Sequence, residues 1–216
     1  MRNLSAVLVA VTATAVLPAG LASANLITNG SFEQDAVGST TITGFAQQSN
    51  IDAVIVTPAV SDGSQALQLS AATTSSSRGR YGSFVNDFGS GVGVDSTLLT
   101  IGQEYRITGD IQQISTEGNS YINVNQEVNG PGGRSFPAIA VVEGEAGVIK
   151  SLDETFVYNG GRLRLALQLD GFGGGTGTVT PVARFDNFTL TVVPEPASLA
   201  LVGAGGLALL GRRRSA

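Results

Sequence analysis

Apolar and polar residues alternate along most of the chain between residues 25 and 193, most clearly at residues 162–170. There, leucines at 163, 165, 167 and 169 are separated by arginine, alanine and glutamine. A period of two places every second side chain on the same side of an extended strand, so this pattern predicts strands with one face in a core. Residues 105–111 and 188–192 alternate in the same way, and no stretch of this region has a helical period.

Ten such segments are separated by clusters of Gly, Ser, Asn and Asp, which are typical of turns. The predicted strands are 40–45, 53–57, 65–71, 80–85, 104–114, 120–128, 135–142, 148–158, 162–170 and 179–193. Many short strands within one domain-sized region predict an all-β fold, an antiparallel β-sandwich, for residues 25–192.

The first 24 residues have the composition of an export signal rather than of a folded element. Arg2 is followed by an apolar stretch at 6–17 and by the small residues Ala22, Ser23 and Ala24. A positive start, a short apolar segment and small residues at a cleavage site define a secretory signal peptide. We therefore predict a signal peptide at 1–24 and a mature chain that begins at Asn25.

A second targeting segment is predicted at residues 193–216. Two prolines close to each other separate it from the preceding strand, and an apolar stretch at 197–210 is followed by three arginines. A short apolar helix with a basic C-terminal cluster stops in a membrane with its basic end in the cytoplasm. The residues that carry this pattern outside the apolar stretch are Val193, Pro194, Glu195, Pro196, Arg212, Arg213 and Arg214.

This segment resembles the PEP-CTERM sorting signal of Gram-negative bacteria. The resemblance implies an exosortase as processing partner, transient residence in the inner membrane, and delivery to the cell surface, outer envelope or extracellular matrix, often in species that secrete exopolysaccharide. The alternative is a plain C-terminal anchor. Residues 197–211 are fewer than the roughly 20 that a transmembrane helix needs, and many of them are small, which favours the sorting signal.

Composition narrows the chemistry of the central region. The chain has no Cys, His or Trp, which excludes disulfides and the imidazole-dependent hydrolases. Residues 25–193 contain eight basic and sixteen acidic residues, a net charge of −8. Nucleic acid is therefore not an expected partner. Without a nucleophile–base pair or a transition-metal cluster, the chain is not expected to be an enzyme.

The central region opens with Asn29-Gly30-Ser31-Phe32-Glu33 and closes with an aspartate-bearing strand at 184–190. With the intervening segments 62–69 and 105–111, this order resembles the jelly-roll carbohydrate-binding modules of the galactose-binding-domain-like superfamily. The resemblance implies neighbouring first and last strands and a structural Ca²⁺ held by Glu33 and Asp186. The alternative pairs Asp186 with Arg184 or Arg106. Asn187 stands where many relatives carry a second aspartate.

A polar, partly aromatic surface is predicted on the strand at 120–128. Tyr121, Asn123 and Asn125 share one face of that strand, and sugar-binding surfaces combine aromatic rings with amide groups. The alternative is an ordinary solvent-facing surface, because the usual tryptophan is absent. Two functions follow: a surface-sorted, non-catalytic protein that binds extracellular polysaccharide of a biofilm matrix, or a structural surface or matrix protein with no specific small ligand.

Overall fold

The computed structural model describes residues 24–47, 51–71, 79–85, 98–116, 118–130, 133–170 and 181–194. These residues form twelve β-strands joined by turns and loops. The strands are β1 (Ala46–Gln47), β2 (Ile51–Val56), β3 (Ala66–Ala71), β4 (Gly79–Val85), β5 (Glu104–Gln113), β6 (Asn119–Gln126), β7 (Val128–Gly130), β8 (Gly133–Ser135), β9 (Ala138–Glu143), β10 (Ile149–Val157), β11 (Leu163–Asp170) and β12 (Val182–Val192).

Two five-stranded antiparallel sheets contain most of these strands. Sheet A has the order β1-β4-β11-β6-β9 and sheet B the order β10-β5-β12-β3-β2, while β7 and β8 form a separate hairpin. The predicted all-β antiparallel fold is confirmed. The predicted signal peptide at 1–24, apart from Ala24, and the predicted sorting helix at 197–210 lie outside the described residues. Among the residues described, no helix is long and apolar enough to cross a bilayer.

The core lies between the inner faces of the two sheets, as the alternation predicts. All four leucines of β11 are buried, and Tyr105, Ile107 and Ile111 of β5 are buried opposite them in the other sheet. Because successive side chains of a strand point to opposite faces, these residues account for the inner faces of the central strands. The outward residues of β11, including Arg164, Ala166 and Gln168, are also buried.

The opening segment runs along the last strand, which confirms that the two ends of the domain meet. Leu26 N donates to Leu190 O at 2.8 Å, and Phe188 N donates to Gly30 O at 2.9 Å. The Asn25 side chain donates to Phe188 O and accepts from the backbone N–H of Leu190. These contacts replace a regular first strand with a hydrogen-bonded segment beside β12.

The prediction of a strand at 40–45 is wrong. These residues form turns, and the nearest strand begins at Ala46. Gly44 has a φ of 82°, and Phe45 N donates back to Ile42 O. Thr43 donates to the Asp35 carboxylate with both its N–H and its hydroxyl. Because the Asp35 carboxylate accepts from the Thr43 N–H, that N–H is not available for pairing with another strand. Residues 40–45 therefore form turns, although Thr and Ile are common in strands.

Candidate functional site

Four of the five residues of the opening motif at 29–33 have a structural role. Asn29 has a φ of 56°, and its amide group contacts Asp35, Thr43 O and Gln34 N, so it organises the turn. Phe32 is fully buried, with its ring centroid 5.1 Å from that of Phe45 and 6.2 Å from that of Phe188. The motif thus joins a polar turn to an aromatic cluster at the end of β12.

Gly30 is required by the close approach of this segment to β12. A Cβ built on Gly30 overlaps the backbone carbonyl of Phe188. This is the position where Phe188 N donates to Gly30 O. Only a residue without a side chain permits that contact.

Glu33 binds the turn at residues 62–65. Its carboxylate accepts from Ser64 N at 2.6 Å, Ser64 Oγ at 2.8 Å, Gln65 N at 2.8 Å and Gln65 Nε2 at 3.2 Å. The Ser64 and Gln65 donors stabilise the ionised form and lower the pKa of Glu33 to about 2. Gly63 has a φ of 76°, and a Cβ there would overlap Glu33 Oε1. Glu33 therefore ties the opening segment to the loop before β3.

Asp186 is fully buried and contacts the other end of the same loop. It accepts from Val60 N at 3.1 Å and from Asn187 N at 2.7 Å. Burial outweighs these hydrogen bonds and raises the pKa of Asp186 to about 6. A second buried carboxylate, Asp110, is its directly paired neighbour on β5. Ser61 links the two, with its N–H toward Asp186 and its hydroxyl toward Asp110.

These contacts bear on the calcium prediction. The carboxylate oxygens of Glu33 and Asp186 accept hydrogen bonds from opposite ends of the 60–65 loop. The described residues contain no group of three or more Asp, Glu, His or Cys side chains suited to a metal ion. Donors directed at these oxygens oppose a cation. Gln65 Oε1 is a buried acceptor without a hydrogen bond, which favours a cation beside Glu33. The Ca²⁺ site remains a prediction.

The alternative ion pairs of Asp186 are not formed. Arg106 instead binds Asp153 through two hydrogen bonds of 2.6 Å each, from Nε and from Nη2. Arg184 Nε donates to Gln68 Oε1 at 3.3 Å. Both arginines are therefore engaged elsewhere on sheet B.

The predicted polar surface lies on the outer face of sheet A. Tyr121, Asn123 and Asn125 are partly exposed, whereas Ile122 and Val124 between them are fully buried in the core. We call the outer face of sheet A around these three residues the polar face. Tyr121 Oη accepts from Asn119 Nδ2 at 2.9 Å, and Asn123 Nδ2 donates to Gln168 Oε1. Asn125 Nδ2 donates to Phe136 O at 3.4 Å.

Strand register arranges the polar face in rows across the sheet. One row joins Gln168, Tyr121 and Glu143, and another joins Arg164 and Asn125. The central row lies between them and runs through Ala46, Gly82, Ala166, Asn123 and Val141. Three of its five members, Ala46, Gly82 and Ala166, have no side chain beyond Cβ.

Sequence reasoning placed the three polar residues correctly on one face but missed the central row. Ala46, Gly82 and Ala166 are far apart in the sequence and carry no functional group. Only strand pairing brings them into line. The alignment of these three small residues with Asn123 is therefore visible only in the fold.

Substitution of Glu33 by glutamine is expected to lower the thermal unfolding midpoint at pH 7. The folded-state pKa lies below the ordinary value of 4.5, so the stabilising contribution of Glu33 is complete above that value and is lost as the pH falls through about 2. Unfolding at pH 7, 4 and 2 should show a deficit of Glu33→Gln that shrinks on acidification. Glu154→Gln, at an exposed position of β10, is the matched control.

The same samples with millimolar Ca²⁺ or a chelator test the calcium prediction. A ligand that binds only the folded state raises the unfolding midpoint. A rise in the wild type that is absent from Glu33→Gln supports a site at Glu33. The same midpoint with Ca²⁺ and with chelator contradicts it.

Comparisons with known proteins agree with two predictions from the sequence, the C-terminal sorting motif and the jelly-roll fold. Residues 192–214 match the family described as the PEP-CTERM protein-sorting motif. No curated protein matches the chain in sequence. The motif implies an exported protein that is sorted to the cell surface and processed by an exosortase. Of its residues, Val192, Val193 and Pro194 lie among those described, whereas Glu195, Pro196 and the arginines at 212–214 do not.

The fold is similar to that of solved carbohydrate-binding modules. The CBM22-1 xylan-binding domain of Xyn10C from Paenibacillus barcinonensis superposes with a TM-score of 0.55 at 14% identity, over 80% of this chain and 97% of that one. A family 16 carbohydrate-binding module gives 0.54 at 15% identity, over 77% and 99%. The C-terminal family 22 module of Clostridium thermocellum Xyn10B gives 0.51 at 11%, over 77% and 98%.

At these identities the likeness establishes the fold and nothing more. It does establish that the antiparallel sandwich is a jelly roll of the carbohydrate-binding-module type, as the opening and closing motifs indicated. The chain therefore carries a PEP-CTERM protein-sorting motif C-terminal to an all-β domain that shares the jelly-roll fold of carbohydrate-binding modules.

Proposed function

We propose that this protein is an exported, surface-sorted and non-catalytic binding protein that holds extracellular polysaccharide on the polar face of sheet A. The observation that carries the proposal is the arrangement of that face, where Tyr121, Asn123 and Asn125 are partly exposed side by side and Asn123 continues into the partly apolar central row. Association with a biofilm matrix rests on the same proposal, because surface sorting brings the domain to the compartment where secreted polysaccharide accumulates.

The chemistry of the polar face suits a sugar chain. A pyranose presents apolar C–H faces and a rim of hydroxyl groups, and it binds where a ring or aliphatic floor is flanked by amide groups. Tyr121 offers a ring edge or face, and the oxygens of Asn123 and Asn125 offer acceptors. Val141, which is 53% exposed, offers apolar contact in the central row. The absence of tryptophan predicts weaker stacking than in binders that carry one.

Tyr121→Ala is expected to weaken polysaccharide binding about tenfold, because it removes the one tyrosine ring predicted for this face and leaves the core residue Ile122 in place. Affinity electrophoresis with soluble xylan, and with a panel of neutral and anionic polysaccharides, measures the effect. Tyr121→Phe keeps the ring and should retain most binding. Thr155→Ala, on the other sheet, should change nothing.

Two outcomes contradict the proposal. One is that no polysaccharide in the panel retards the wild-type protein. The other is that Tyr121→Ala and Thr155→Ala behave alike against a polysaccharide that does bind. In both cases circular dichroism of each variant must match the wild type, so that loss of binding is separated from loss of fold.

The alternative, a structural matrix protein without a small ligand, requires contacts between copies. One of the two edge strands of sheet B is β10, a nine-residue strand that carries Lys150, Asp153 and Glu154. Lys150 pairs with Glu145, and Asp153 pairs with Arg106. Charged side chains on an edge strand oppose pairing with another copy. This edge strand therefore opposes assembly through β10.

A further inference from the structure

The chain leaves the sandwich at a fixed point at one end of the strands of sheet B. Val193, one residue past β12, donates its N–H to Glu104 O at 2.9 Å. The Gln103 amide group donates to Val193 O at 3.0 Å and to Glu104 O at 3.1 Å. Because Glu104 is the first residue of β5, the exit lies at the end of the sheet where β5 starts and β10 ends.

An exposed apolar turn stands beside this exit. Residues 100–103 form a turn in which Gln103 N donates to Thr100 O at 3.1 Å and Gly102 has a φ of 86°. Ile101, at its tip, is 72% exposed, and Leu98 just before it is 55% exposed. Turn tips normally carry Gly, Pro, Asn, Asp or Ser. Two large apolar side chains within four residues depart from that rule.

Hydrogen bonds to neighbouring residues hold the turn in place. Gly102 N donates to Tyr158 O at 2.8 Å, Tyr158 N donates to Gln103 O at 3.0 Å, and Thr100 N donates to the Tyr105 hydroxyl at 2.8 Å. Val157, paired with Glu104 across the sheet, is 46% exposed and adds apolar surface at the same end. Together Leu98, Ile101 and Val157 form what we call the exit patch.

The sequence determines how far this patch can be from a membrane. Only residues 194–196 separate Val193 from the apolar stretch at 197–210. Four residue steps span at most about 14 Å when fully extended. Whenever the apolar stretch is inserted in a bilayer, the exit and the turn beside it are therefore within about that distance of the lipid surface.

We propose that the exit patch is a membrane-docking surface, and that Ile101 and Leu98 enter the lipid headgroup region while the chain is held by its C-terminal segment. Apolar side chains on a rigid tip gain free energy by entering the interface, and a second membrane contact restricts the rotation of the domain on its short connection. Glu104 is exposed beside the exit, and Glu127 is paired with Arg162 at 3.3 Å.

The absence of cysteine permits a direct test on the whole chain. Ile101→Cys and Ile149→Cys are each labelled with the polarity-sensitive fluorophore NBD, and the full chain is reconstituted in phosphatidylethanolamine–phosphatidylglycerol vesicles with doxyl-labelled phosphatidylcholine as the quencher. Ile149 is the matched control because it is also apolar and 46% exposed but begins β10. It lies roughly 27 Å farther along the strand from the exit.

We expect a blue shift of the label at 101 on reconstitution and about fivefold stronger lipid quenching than at 149. Equal quenching at both positions overturns the proposal. So does a label at 101 that remains as polar and unquenched as the one at 149. A blue shift at 101 that appears without vesicles and grows with protein concentration also overturns it, because it assigns the exit patch to contacts between copies.

Discussion

Gly109→Ala is expected to lower the free energy of unfolding by about 3 kcal/mol, the upper end of the range for overpacking a core. A Cβ built on Gly109 overlaps two ring carbons of Phe188. The ring has no room to retreat, since Phe188 is fully buried and its backbone carbonyl lies against Gly30. The new methyl group therefore forces the phenyl ring away from its packing with Phe32.

Urea-induced unfolding of the mature protein measures this loss, and Gly147→Ala is its control. Gly147 has a φ of 74°, but a Cβ there meets nothing within 4 Å. Backbone strain alone should cost about 1 kcal/mol. If the two variants are equally destabilised, the contact between Gly109 and Phe188 is not the determinant of stability that the structure indicates.

The stability of the wild-type protein is expected to rise as the pH falls from about 7 to 5, and Asp186 is the reason. Its folded-state pKa, about 6, is higher than the ordinary value of 3.8 because the carboxylate is buried. Between those values the folded state binds a proton that the unfolded state does not, so acidification favours folding. Most exposed carboxylates that are hydrogen-bonded in the folded state, such as Glu33, have the opposite effect at lower pH.

The groups that face Asp186 define the proper variants. Asp110 is the neighbouring carboxyl group, while Ser61 and Asn187 contact both carboxyl groups. Asp186→Ala leaves the N–H groups of Val60 and Asn187 without their acceptor, which should cost about 2–3 kcal/mol at pH 5.

The same substitution should abolish the rise in stability between pH 7 and 5. Asp52→Asn, at an exposed position of β2, is the control and should retain that rise. Thermal unfolding midpoints of both variants between pH 7 and 5 measure this difference. A rise that persists in Asp186→Ala shows that another group takes up the proton.

The strands themselves could be predicted from the sequence because each requires only local alternation. Leu163 to Leu169 and Tyr105 to Ile111 show it plainly, and both segments are core strands. The strand prediction at 40–45 was wrong because it, too, relied only on local composition. Their Thr and Ile composition is that of a strand, but Asp35, eight residues before Thr43, takes up the backbone donor that a strand needs.

The site was predictable only in part. Tyr121, Asn123 and Asn125 fall on one face by parity, which is a local property. The hydrogen-bond partners of Glu33 and the pairing of Asp110 with Asp186 depend on which segments the fold brings together across 31 and 76 residues of chain. No pattern within either segment reports such contacts, and the small residues of the central row gave no chemical signal at all.

The orientation of the central row relative to the chain exit has a consequence for how a long polymer is retained. The row crosses the strands, whereas the exit lies at their ends, next to the membrane in the proposed arrangement. A polysaccharide in that row then runs parallel to the cell surface. One polymer can span several tethered copies, each binding weakly, and the high effective concentration of the second and later sites converts weak contacts into firm adhesion.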